Sequence, residues 1–133
     1  METIPLLKDK RIVLGVTGGI AAYKACTLAS HLTQGGALVD AVMTEAATRF
    51  VDPLTLEALT GRPVYTSMWE TSQRGLPTHI AHVGLGHAAN LLVIAPATAN
   101  TIAKLAHGVA DNLLSTLALA ARCPLLLAPA MDV

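Results

Sequence analysis

The sequence predicts a single α/β domain in which a parallel sheet carries helices on both faces, and three observations support this. Short runs that are apolar along almost their whole length, RIVLGV, ALVDAVM, NLLVIA and LLLA, recur along the chain. Between them lie segments whose apolar residues return at three- and four-residue steps, the helical period. Gly18-Gly19, Gly35-Gly36, Pro96 and Gly108 stand where one pattern changes to the other. Strands that alternate with helices pair in parallel, and strands without a polar face are covered on both sides.

Residues 11–16 form the first strand and end in Thr17-Gly18-Gly19. The helix that follows spans 20–34, with Ala21, Ala25, Leu28 and Leu32 on one face and Lys24, Thr27, His31 and Gln34 on the other. Gly35-Gly36 stops it. Residues 37–43 make the second strand. Thr44 caps a short helix to Phe50, and 53–59 add a further turn or two. Residues 63–66 read as a short strand, 67–77 as a polar loop whose composition marks it as the most mobile segment, and 79–88 as helix. The third main strand covers 90–95 and is broken by Pro96. Helices over 99–107 and 111–121, separated by Gly108, lead to the fourth strand at 125–128.

The 133 residues suit one domain. Hydrophobic residues make up 53% of the chain but aromatic residues only 3%, so the apolar weight lies in aliphatic side chains suited to buried strands and alanine-rich helices. Charged residues, at 14%, are too few to cover so small a domain, which points to self-association. A net charge of zero without a basic cluster argues against a nucleic-acid partner. Cys26 and Cys123 lack a metal-type spacing and read as reduced, buried thiols, so no metal is expected. The start METIPLLKDK has no signal-peptide pattern, and the longest apolar run, 113–121, is shorter than the roughly 20 residues that span a bilayer. These features predict a cytoplasmic location and no membrane partner.

In an open α/β sheet, ligands bind beyond the carboxyl ends of the strands. Those positions are Thr17-Gly18-Gly19, Thr44-Glu45-Ala46, 96–100 and 129–132. Gly18-Gly19 lets the backbone approach a ligand and leaves helix N-terminal amides for a phosphate, with Thr17, Thr44 and Thr98 as hydroxyl donors. A Gly-Gly pair suits a plain tight turn equally well. The turn matches neither GxGxxG nor GxxxxGK[ST]. Asp40 lies about 20 residues downstream, as a ribose-binding acid would, yet falls in mid-strand, which argues against a dinucleotide.

The strings GVTGGIAAYK, MTEAATRF, APATANTIAKLAHGVADNLLSTLALA and APAM, in this order and spacing, resemble the homo-oligomeric flavin-containing cysteine decarboxylases. The likeness runs from about Lys10 to the end and is strongest to the decarboxylase half of bacterial bifunctional coenzyme A enzymes. It implies a Rossmann-like (flavodoxin-like) fold and an FMN-binding decarboxylase domain over 1–133. The implied reaction is decarboxylation of a small-molecule or peptide substrate ending in cysteine, specifically phosphopantothenoylcysteine to phosphopantetheine. By position the resemblance sets Gly19, Ile20 and Ala21, beside Gly18, around the FMN. Thr44, Glu45 and Ala46, then Thr98, Ala99, Asn100 and Thr101, and finally Ala130 complete that set. The family's catalytic histidine lies in a stretch HIEL followed by WAD, which selects His82 over His79 and His87; His31 and His107 read as solvated or core residues.

The chain departs from the family pattern in three ways. Gly84 stands for Glu, and Ala88 and Asn90 for Trp and Asp. Asp132 stands for the asparagine of PAMN, a substrate-carboxylate ligand that an aspartate would replace with repulsion. The likeness stops at Val133, before the rest of the substrate clamp and its distal cysteine, so the expectation is a domain truncated at its C-terminal end. The family's trimers hold the flavin at a subunit contact, which implies a trimer or a multiple of trimers, with His82 acting on a neighbour's flavin. Two alternatives are a flavin-binding relative without decarboxylase activity, regulatory or peptide-directed, and an NAD-type Rossmann domain, which the absent GxGxxG disfavours.

Overall fold

The computed structural model describes residues 3–69 and 84–132. Strands β1 (Arg11–Val16), β2 (Leu38–Met43), β3 (Leu91–Ala97) and β4 (Leu125–Pro129) pair in parallel in the order β2-β1-β3-β4. Helices α1 (Ala22–Gln34), α2 (Pro53–Thr60), α3 (Ala99–His107) and α4 (Leu113–Ala120), with a 3-10 turn at Ala46–Arg49, complete the described elements together with a helical stretch at 84–88. Parallel pairing makes every strand end its run on the same edge of the sheet, so the loops that follow them converge.

Alternate side chains of β1 point to opposite faces and nucleate two cores. Ile12, Leu14 and Val16 pack with Ala22, Ala25 and Ala29 of α1 and Leu56 of α2. Val13, with Leu92 and Ile94 of β3, packs with Leu113, Leu114 and Leu117 of α4. Each large aliphatic side chain buried this way contributes roughly 1.5–3 kcal/mol. Gly15 lies on the α4 face, where an added Cβ would sit 2.5 Å from Leu114 Cδ1, so its missing side chain lets α4 press onto the sheet. The predicted layers are therefore present, and Lys24, Thr27, His31 and Gln34 face solvent as the helical period required.

The element ends differ from the sequence reading for local reasons. Helix α1 begins at Ala22, not at 20, because residues 17–21 are taken up by the turn and Ala21 offers no capping side chain. Pro96 does not break β3. The strand runs on to Ala97 with a register shift between Ile94 and Ala97, through a cis Ala95–Pro96 peptide, so the proline is accommodated as a ladder irregularity. Helix α4 starts at Leu113, not 111, because Asn112 and Ser115 form a capping box: Asn112 Oδ1 accepts from the Ser115 amide at 2.8 Å and Ser115 Oγ from the Asn112 amide at 3.1 Å. Residues 63–66 form a single bridge between Tyr65 and Val42 and no full strand. The expected helix at 79–88 is seen at 84–88. Its first part, and the 70–77 part of the expected loop, lie outside the described residues.

Asp40 lies in mid-strand, as read from the sequence, and its carboxylate is buried. The Arg62 guanidinium reaches it with Nε 2.8 Å from Oδ1 and Nη2 3.4 Å from Oδ2. That pair neutralises the acid and pins the segment carrying Tyr65 along the outer edge of β2, where the Met43 amide donates to the Tyr65 carbonyl at 2.8 Å. Among the described residues no helix is long and apolar enough to cross a membrane.

Candidate functional site

Thr17 follows β1 directly and is buried. Its hydroxyl donates to the Pro96 carbonyl and accepts from the Thr98 amide at 3.1 Å. The oxygen expected to donate to a ligand is therefore spent on joining the turn after β1 to the turn after β3. Gly18 is needed by its neighbours, since a Cβ there would meet Ala46 Cβ at 2.5 Å and the Ala46 carbonyl carbon at 2.8 Å. Gly19 is different, because its Cβ would meet only the Thr98 methyl, at 4.0 Å. Space lies in front of that backbone, and no protein acceptor is found among the described residues for the Gly19, Ile20 and Ala21 amides.

Thr44 accepts from the Ala47 amide at 3.2 Å and so caps the 3-10 turn from one residue before its boundary. Glu45 and Ala46 beside it are exposed. Thr98 is the N-cap of α3, its Oγ1 accepting from the Thr101 amide at 3.2 Å, and the Ile102 amide bonds to the Thr98 carbonyl. The earlier amides of that helix, at Ala99 and Asn100, stay open toward the strand ends, where the helix dipole favours negative charge.

Two adjoining clefts result. The larger, about 510 Å³, is lined by Gly18, Gly19, Ile20 and Ala21 on one side and by Pro96, Thr98, Ala130, Met131 and Asp132 on the other, with Tyr23 and Lys24 completing its wall. The smaller, about 240 Å³, shares Gly18 and Thr98 with it and adds Thr44, Glu45, Ala46, Asn100, Thr101, Lys104 and Asn112. Their volumes fall in the range of small-molecule sites, roughly 300–1,000 Å³ when taken together. Every expected cofactor residue except Ala99 lines one or the other; Ala99 is exposed in the first turn of α3 and lines neither. Asp132 faces the larger cleft, where Lys24 gives an entering carboxylate one charge of each sign to meet. His82 and His79 lie outside the described residues, whereas His87 is exposed.

Tyr23, Lys104, Asn112 and Met131 were not singled out from the sequence. Lys104 had a usable signal, for it stands four residues after Asn100 and therefore on the same helix face. It bonds Asp111 at 2.9 Å, and this contact holds the Asp111 carboxyl below the usual carboxylate range. Cys26 and Cys123 are both free and pack against opposite cores; burial pushes the Cys26 thiol up. Among the described residues, no three His, Cys, Asp or Glu side chains gather as metal ligands would.

Open amides at the first turn, a second helix N-terminus opposite and no diphosphate-binding glycine loop define an α/β protein built for a mononucleotide-sized ligand. The sequence model of the Flavoprotein family matches residues 4–133, and the chain belongs to that family. It is 49% identical over 128 residues to the coenzyme A biosynthesis bifunctional protein CoaBC of Bacillus subtilis, covering 96% of this chain and 31% of that protein. Against the CoaBC of Mycolicibacterium smegmatis identity is 52% over 122 residues, covering 92% and 28%. The chain thus spans about three-tenths of the length of these curated relatives. Among solved structures, the FMN-dependent cysteine decarboxylase SpaF superposes with a TM-score of 0.83 at 40% identity, covering 96% of this chain and 71% of that one. A PPC decarboxylase mutant, C175S, complexed with pantothenoylaminoethenethiol, gives 0.73 at 31% identity, covering 95% and 69%.

Proposed function

We propose that this chain is the FMN-binding part of a decarboxylase acting on a cysteine-terminated substrate, with phosphopantothenoylcysteine as the substrate. The observation that carries the cofactor reading is the turn at Gly19 to Ala21, whose unbonded amides face Thr98 and the first turn of α3 across open space. Among the described residues that arrangement offers one phosphate site and no diphosphate-binding glycine loop, which suits FMN and not FAD or NAD. The names of the CoaBC relatives and of the PPC decarboxylase complex support the substrate.

Gly19 to Ala21 and the first turn of α3 would hold the phosphate, and Ile20, Pro96 and Met131 of the larger cleft would flank the flavin ring. FMN, when bound, would take two electrons from the C–S end of the cysteine and return them after carbon dioxide has left; the C=S so formed stands one carbon beyond the carboxylate-bearing carbon and takes up the electron pair of the breaking bond. His82 exchanges the proton, since an imidazole with an ordinary pKa of about 6.5 works in both directions near neutrality. Asp132 borders the substrate end of the cleft. The same reading gives a cytoplasmic homo-oligomer, a trimer or a multiple of one, in which the exposed Ile20 and Tyr23 beside the cleft are covered by a neighbour.

Asp132 favours a second reading, a flavin-binding relative without decarboxylase activity, because it repels the carboxylate that the asparagine of the family holds. Two measurements separate these. Mass spectrometry of the cofactor released from the purified protein returns FMN; recovery of FAD or a nicotinamide nucleotide alone would overturn both. Carbon dioxide release from phosphopantothenoylcysteine distinguishes the enzyme from the silent relative. Light scattering that shows a flavin-loaded monomer would rule out the shared site.

A further inference from the structure

Lys104 is the basic side chain among the described residues lining the smaller cleft. Lys104 stands one turn after Asn100 and Thr101 on α3 and shares the lining of the smaller cleft with them. Its side chain is 21% exposed, while the Asp111 side chain that binds it is 56% exposed and lies outside the cleft lining. An ammonium has three N–H donors, and Asp111 takes one at 2.9 Å. Lys104 lines the cleft and its partner does not, so two of the three donors are not taken by Asp111. Glu45 lines the same cleft, so an anion entering meets one acid there as well as the cation.

We propose that Lys104 is a specificity-determining residue that makes the site prefer a phosphorylated flavin over the unphosphorylated one, and that Asp111 is its positioning residue. The proposal rests on the FMN reading above. Hydroxyls bond a neutral ribityl chain as readily as a phosphate, and the open amides favour the phosphate through partial charges alone. A fixed ammonium separates the two, because a charge-assisted bond to a dianion is markedly stronger than a bond to a hydroxyl. The pair also ties α3 to the segment that leads into α4 across the Gly108 turn, so a purely structural role for Lys104 has to be distinguished from a role toward the ligand.

Titration of FMN and of riboflavin into flavin-stripped protein, followed by flavin fluorescence, makes that distinction without any turnover assay. The expected result is that Lys104→Met lowers the FMN-to-riboflavin affinity ratio by about tenfold or more, with riboflavin binding little changed. Asp111→Asn removes the partner's charge but keeps the ammonium, and lowers the ratio by less than the Lys104 variant does; a ratio equal to that of the wild type would remove the positioning role of Asp111. Should methionine upset folding, as judged by circular dichroism, Lys104→Gln is titrated in its place with the same expectation. An unchanged ratio in the Lys104 variant, or equal losses in the Lys104 and Asp111 variants, overturns the assignment of Lys104 and leaves the cofactor reading standing. A wild-type protein that binds FMN no better than riboflavin overturns the cofactor reading itself.

Discussion

Gly18 and Gly19 are adjacent and chemically identical, yet the fold gives them different work. A methyl group at 18 collides with the backbone and side chain of Ala46, whereas at 19 it meets, among the described residues, only the Thr98 methyl at 4.0 Å, on the wall of the larger cleft. Gly18→Ala is therefore expected to destabilise the folded protein by about 1–3 kcal/mol, as overpacking does. Gly19→Ala should leave the thermal midpoint almost unmoved and weaken flavin binding. Thermal unfolding beside a flavin titration checks both, and matching profiles for the two variants would refute the distinction. The sequence showed a glycine turn able to approach a phosphate but could not divide the labour, because the Ala46 contact joins loops far apart in the chain. Thr17 misled for the same reason, its hydroxyl being consumed by Pro96 and Thr98, 79 and 81 residues further on. For His82 the expectation is that Asn in its place reduces turnover by about 10²–10⁴ while flavin content holds, as loss of general acid/base help does. His87→Asn, at an exposed position, should be close to neutral. Full activity in His82→Asn would remove the catalytic role and leave the flavin site in place.

At the scale of elements, the centres were legible, and so were the bounds of β1 and α3 and the start of α2, but the starts of α1 and α4 were not. Apolar periodicity fixes which residues face the sheet, and it located α1, α3 and every strand. Boundaries depend on single hydrogen bonds at caps: Asp52, whose carboxylate accepts from the Leu54 amide at 2.9 Å, starts α2 at Pro53. Asp52→Ala is expected to cost about 1 kcal/mol in chemical denaturation. The link between α3 and α4 makes a pH-dependent contribution whose sign follows from Asp111. Lys104 depresses the Asp111 carboxyl in the folded state. The contribution is thus fully present above the ordinary carboxylate pKa of about 3.9 and is lost as pH falls through the lower folded value. Comparing wild type with Asp111→Asn across acid pH tests it: the two should differ near neutrality and converge as the pH falls below the ordinary carboxylate range. A gap that widens in acid would reverse the sign.

For the whole molecule, the parallel α/β layering was readable because each buried strand had to be apolar on both faces. The strand order was not readable, since nothing local states that β1 lies between β2 and β3. The order nevertheless decides the site, because it sets the turn after β1 beside the turns after β2 and β3. The buried Asp40 follows from the same level of organisation. Its position in mid-strand made it unsuitable for a ribose, and only the fold supplied Arg62 as its partner. Arg62→Met leaves that carboxylate buried and unpaired, and is expected to destabilise the protein more than the double variant Asp40→Asn/Arg62→Met. Partial exposure of Arg62 reduces the size of this difference without changing its direction. Urea titrations of both variants measure it, and a double variant less stable than the single one would show that the pair is not what neutralises Asp40.

The Thr17 oxygen couples two loops through one donor and one acceptor bond, and this has a consequence for how the protein can diverge. Serine offers the same two bonds at position 17, whereas valine, nearly the same shape, offers neither. Drift at 17 is therefore constrained to a hydroxyl for as long as the turn after β3 keeps its path. A lineage that lost the hydroxyl would have to rebuild positions 96 to 98 in the same step, so the two segments are expected to be inherited as one unit although most of the chain lies between them.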